Sequence, residues 1–82
     1  MVIIKYDESF EKNVKKINNQ SVKEHILKQI QKIIEQPEIG KPMRYFRKGT
    51  REIYIKPFRL SYVYLKEEDK LIFLDLYHKD EQ

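Results

Sequence analysis

Arg51-Glu52-Ile53-Tyr54-Ile55-Lys56-Pro57-Phe58-Arg59-Leu60-Ser61-Tyr62-Val63-Tyr64 is the stretch that decides the fold. Ile53 and Ile55 alternate with Glu52, Tyr54 and Lys56, and after the turn at Lys56-Pro57, Leu60, Tyr62 and Tyr64 alternate with Arg59, Ser61 and Val63. A period of two marks a half-buried β-strand. If Leu60, Tyr62 and Tyr64 face a covered side, Arg59, Ser61 and Val63 face away, and Ile53 and Ile55 inward send Tyr54 and Lys56 outward. Parity thus gathers Arg59, Tyr54 and Lys56 on an open face. A cation between apolar neighbours in a central strand is costly to desolvate unless that face is wet or meets an anion.

Working outward, Leu71 to Tyr77 is a third apolar run, reached through the acidic turn Lys66 to Lys70. Upstream, Gly40-Lys41-Pro42 opens the β half, Met43 to Phe46 suits a short leading strand, and Lys48-Gly49 is a break. Val2 to Tyr6 reads as a first strand ended by Asp7. Phe10, Val14 and Ile17 recur at helical spacing, predicting a helix that ends near Asn18-Asn19. Ser21-Val22-Lys23-Glu24 fits a capping box, and Val22, Ile26, Ile30, Ile33 and Ile34, with Leu27 alongside, form the apolar stripe of a second helix stopped by Pro37. The short link between them predicts an antiparallel helical hairpin. The expected fold is α+β in the order β-α-α-β-β-β: a single domain over residues 1–82, with the hairpin on one face of a small, mainly antiparallel twisted sheet.

Eighty-two residues allow one small core. With no cysteine and only His25 and His78, neither a disulfide nor a zinc site is expected, and no cofactor or metal is implied. No apolar run approaches the roughly 18 residues of a membrane span, so a cytoplasmic protein is expected. The net charge of +4 is unevenly spread. Between residues 41 and 59, Lys41, Arg44, Arg47, Lys48, Arg51, Lys56 and Arg59 meet a single acid, Glu52, with Tyr45, Phe46, Tyr54 and Phe58 among them. Cations for phosphates interleaved with rings for unstacked bases suit RNA.

The chain resembles the RelE/ParE superfamily of toxins from type II toxin-antitoxin modules. The resemblance rests on the Gly40-Lys41-Pro42-Met43-Arg44 stretch after the second helix, on Phe58-Arg59-Leu60-Ser61-Tyr62-Val63-Tyr64 and on the final His78-Lys79-Asp80. It implies a toxin inhibited by a cognate antitoxin that wraps it in a higher-order hetero-oligomer. In the ribonuclease branch it implies cutting of mRNA in the ribosomal A site, beside rRNA. Arg59 then matches the mid-strand arginine that supports the scissile phosphate, and His78 and Lys79 match a basic pair just past the last strand. Tyr54 stands where the YafQ branch carries a histidine, and the C-terminal aromatic of several members has no counterpart by Gln82.

Metal-free RNA cleavage needs a proton acceptor for the 2′-OH, a stabiliser for the phosphorane and a donor for the leaving oxygen. Arg59 suits the second task, because a guanidinium stays charged and can bind two phosphate oxygens. His78, with an ordinary pKa of about 6.5, suits proton transfer. Lys79 and Tyr54 complete the catalytic candidates. Arg44, Arg47, Lys48, Arg51, Lys56 and Tyr77 are the candidates for holding flanking RNA. The leading expectation is a ribosome-dependent mRNA endoribonuclease. A ParE-like inhibitor of DNA gyrase, or a member that binds RNA or antitoxin without catalysis, are the alternatives.

Overall fold

The structure is a computed structural model that describes residues 2–44, 46 and 48–78. Its elements are β1 (Ile3–Tyr6), α1 (Glu8–Lys15), α2 (Gln20–Glu35), β2 (Lys41–Pro42), β3 (Thr50–Ile55), β4 (Phe58–Leu65) and β5 (Lys70–His78). The strands form one sheet in the order β1-β5-β4-β3-β2. Only β1 and β5 run parallel; the other neighbours are antiparallel. The α+β expectation therefore holds, with one more strand than the basic pattern counted.

That additional strand is Lys41–Pro42 rather than Met43 to Phe46. Lys41 lies opposite Glu52 and Pro42 opposite Arg51, and the Met43 N–H donates to the Thr50 carbonyl at 3.0 Å. Pro42 has no N–H to offer a further neighbour, which suits an edge strand.

Both helices begin on side-chain caps. Asp7 accepts the Ser9 amide at 3.0 Å, and Asn19 accepts the Val22 amide at 3.1 Å. The cap of α2 is therefore Asn19, not Ser21: Asn caps as well as Ser, and Asn19 has the required extended backbone. At the end of α1, Lys16 and Ile17 donate back three residues, to Asn13 and Val14. This tighter turn ends the helix earlier than its apolar spacing suggests, yet still delivers Ile17 to the core.

Phe10, Ile26, Ile30 and Ile33 of the helices pack on Ile55, Leu60, Tyr62, Leu71, Phe73 and Leu76 of the sheet. Leu27 is 62 % exposed, because one residue past Ile26 rotates it about 100° off the stripe. Val63 faces away from this core, as parity requires, but it is fully buried. It pairs with Thr50 and Ile72, and Gly49 folds against it. Gly49 has φ of 92°, and a Cβ there would sit 2.9 Å from the Tyr64 carbonyl oxygen, so glycine is required on both counts.

The pairing of β4 with β5 slips by one residue. Ser61 lies opposite Asp75 but Tyr62 lies opposite Phe73, which leaves Leu74 extra. This bulge lets Leu71, Phe73 and Leu76 all enter the core despite their uneven spacing.

Candidate functional site

Arg59 sits near the start of β4, with Tyr54 of β3 directly opposite on one side and Tyr77 of β5 on the other. All three share the face that the helices leave open. Glu52, two residues before Tyr54, shares it too. Arg59 Nη1 donates to Glu52 Oε1 at 2.9 Å, and the Tyr77 hydroxyl donates to Glu52 Oε2 at 3.0 Å. One carboxylate thus joins three strands, one oxygen to each partner. The Arg59 and Glu52 side chains are 31 % and 20 % exposed, so they remain reachable from solvent. Arg59 Nε is buried and has no hydrogen-bond partner among the described residues.

The Tyr77 phenol is raised above its ordinary value, first by burial and then by its hydrogen bond to the Glu52 carboxylate. The Arg59 charge opposes this only in part. Tyr77 is therefore a protonated donor at neutral pH and cannot serve there as a base.

Two clefts meet at the Glu52–Arg59 pair. One, of about 540 Å³, has Met43, Phe46, Leu74 and Tyr77 as apolar walls and Ser61 and Asp75 as polar groups. The other, of about 290 Å³, lies between Lys41 and Tyr54. Phe46 and Tyr54 are 61 % and 53 % exposed.

His78 is not brought to Arg59. It pairs with Phe58 and meets that ring edge-on, with centroids 5.6 Å apart. It lines a separate groove with Lys16, Asn18 and Asn19 from the helix junction. The bulge is the cause. Strict alternation from Leu71 would carry His78 to the open face and Tyr77 to the helices, and the extra Leu74 exchanges them.

The basic candidates also divide. Arg44, Lys48 and Lys56 are exposed. Arg51 instead lies on the helix side, where Nη1 donates to the carbonyls of Glu38 at 2.9 Å and Gly40 at 2.7 Å, and Nη2 lies 3.8 Å from the Glu38 carboxylate. It braces the segment that leaves α2. Arg47 and Lys79 lie outside the described residues. Glu52 is the site residue that sequence reasoning passed over, although its parity with Tyr54 placed it on the same face. Among the described residues, no group of three or more His, Asp or Glu could hold a metal ion, and no helix is long and apolar enough to cross a membrane.

Residues 4–82 match the model of a family described as the ParE toxin of the type II toxin-antitoxin system parDE. A search of curated protein sequences finds no match. Among solved structures, a chain of the intact E. coli RelBE toxin-antitoxin complex superposes with a TM-score of 0.81 at 22 % identity, covering 100 % of both chains. A chain of the RelBE2 toxin-antitoxin complex of Mycobacterium tuberculosis gives 0.76 at 18 % identity, covering 95 % of this chain and 98 % of that one. A metal-bound toxin from Helicobacter pylori gives 0.74 at 25 % identity, covering 99 % and 98 %.

Proposed function

The chain belongs to the RelE/ParE superfamily, toxins of type II toxin-antitoxin systems, and from that premise we propose that it is an endoribonuclease that cuts mRNA on the ribosome. What carries this reading is the position of Arg59 on the open face, in register between Tyr54 and Tyr77, where two clefts meet. A guanidinium there can turn from Glu52 to a phosphate and stabilise the charge that builds on phosphorus as a 2′-oxygen attacks. Exposed Arg44, Lys48 and Lys56 supply cations for flanking phosphates, and Phe46 and Tyr54 supply faces for bases. The work is done in the cytoplasm, with mRNA and rRNA as its surroundings. Related folds have been solved in complex with RelB antitoxins. This toxin is accordingly held inactive by its own antitoxin, an acidic one to match the basic rim, in a larger hetero-oligomer.

Purified protein added to a translation extract tests the reading. Translated message should be cut to leave 2′,3′-cyclic phosphate and 5′-OH ends. Arg59→Ala should lose about 10²–10³-fold in rate, as when one stabilising donor to a developing oxyanion is removed. His78→Ala, altered on the other face, should cut nearly as well as wild type. Intact message with the wild-type protein excludes the nuclease.

A second reading has its own support: the family model that matches is that of ParE, and Glu52 already occupies Arg59. On this reading the chain inhibits DNA gyrase and cuts no RNA. Loss of supercoiling by purified gyrase, with message left intact, selects it.

A further inference from the structure

We propose that Glu52 is the general base of this site and Tyr77 its general acid, with the scissile phosphate seated on the Glu52–Arg59 pair and one nucleotide in each of the two clefts that meet there. The assignment rests on the nuclease reading and goes beyond it by naming the groups that move protons and where the two nucleosides lie.

Glu52 and Arg59 line both clefts, so they form the ridge between them. A phosphodiester is likewise the ridge between two nucleosides. The larger cleft, walled by Phe46, Leu74 and Tyr77, accepts a flat ring edge-first, while Tyr54 and Lys41 offer a stacking face and a cation to the neighbouring nucleotide. The phosphate that joins them falls on the guanidinium.

Chemistry then selects the proton carriers. Arg59 and Lys41 are cationic side chains with donors and no acceptor, so neither takes a proton from a 2′-OH. Tyr77 is protonated as well. Asp75 lines only the larger cleft and not the ridge between the two, and its Oδ1 accepts from Asn13 of α1 at 2.7 Å and from the Leu76 amide at 2.8 Å. Glu52 is the carboxylate within 3.0 Å of both Arg59 and Tyr77. When a phosphate oxygen takes over Nη1 of Arg59, Glu52 Oε1 loses its donor and turns to the adjacent 2′-OH.

The steps balance within these three side chains. The 2′-hydroxyl proton passes to Glu52 as the 2′-oxygen bonds to phosphorus, with Arg59 holding the charged phosphorane. The bond from phosphorus to the 5′-oxygen breaks with its electron pair on oxygen, and that oxygen takes the Tyr77 proton. Glu52 returns a proton to Tyr77 along their 3.0 Å hydrogen bond, which restores the starting state. The products are a 2′,3′-cyclic phosphate and a 5′-OH.

Among the described residues, the charged and titratable groups facing Glu52 are Lys41 on β2, Tyr54 on its own strand, Arg59 on β4, and Asp75 and Tyr77 on β5. The test is the single-turnover cutting rate on ribosomes carrying a defined message, measured across pH. Glu52→Gln keeps the size of the side chain and an acceptor for Arg59 but has no basicity. It should lose about 10²–10⁴-fold in rate and with it the rise in rate on the acidic side of the profile, while still binding ribosomes. Glu52→Asp keeps a carboxylate and should keep that rise at a lower rate, which holds the test open if Glu52→Gln folds poorly. Tyr77→Phe should slow cutting without removing the acidic rise. A Glu52→Gln variant with the wild-type rate or profile, or a Glu52→Asp variant without the acidic rise, overturns the assignment and leaves the nuclease standing. A wild-type protein that never cuts overturns both.

Discussion

The hydroxyl of Tyr62 accepts the amide N–H of Gly40 at 2.8 Å and donates to the carbonyl of Pro37 at 2.8 Å. A fully buried strand residue thereby ties down both ends of the segment that leads from α2 into the sheet. Tyr62→Phe keeps the ring but strands two backbone groups, and should cost about 1–3 kcal/mol in urea unfolding. Gly40→Ala should cost more, since its Cβ would lie 2.5 Å from the Tyr62 oxygen.

The same segment separates structural from solvent-facing cations. Arg51→Ala removes two hydrogen bonds to carbonyls and should lower the unfolding midpoint. Arg44→Ala with Lys48→Ala should leave the midpoint unchanged but flatten the salt dependence of RNA binding by about 0.7–0.9 log units per lost phosphate contact. Equal midpoints for the two variants would contradict the bracing role of Arg51.

Asn19→Ala should destabilise the protein by about 1 kcal/mol through loss of the α2 cap, whereas Ser21→Ala, inside the first turn, should be close to neutral. Thermal unfolding of the two variants side by side decides this. Equal losses would put the helix start at Ser21.

Alkaline pH should weaken the fold. Burial raises Tyr62 above 10.0, with the Gly40 hydrogen bond and Arg51 pulling it partly back, and Tyr77 is raised by burial and then by Glu52. The folded state therefore holds these phenolic protons more tightly than the unfolded chain. Their contribution is complete below pH 10 and is lost as pH climbs through the raised values. Unfolding midpoints measured from about pH 8 to about pH 11 should fall, and Tyr62→Phe should flatten that fall.

Periodicity is enough to read the two helices and the longer strands, because their faces repeat locally, whereas the two-residue β2 and the exact helix ends carry no repeat. Residue parity in β3 and β4 puts Tyr54 and Arg59 on the same open face, where the structure pairs them directly. What parity could not carry was the slip at Leu74, since a bulge depends on which residues of a distant strand must share the core. That slip turns His78, a candidate drawn from the family resemblance, toward the helix side and gives Tyr77 its place beside Glu52. The burial of Val63 depends on how Gly49 closes over it, and the engagement of Arg51 on carbonyls 11 and 13 residues away; neither is local. Glu52 stands among seven cations in the sequence, and its strand position makes it the partner of one of them, Arg59.

The parallel pairing of β1 with β5 joins Ile3 to Lys70 and Tyr6 to Phe73. β5 lies between β1 and β4, so an interior strand of this sheet comes last in chain order among the described elements. A nascent chain that has not yet emerged past Phe73 holds β1 with nothing to pair against and lacks Phe73 and Leu76 from the core. A chain cut short before Lys70 lacks β5 and can complete neither this sheet nor its core.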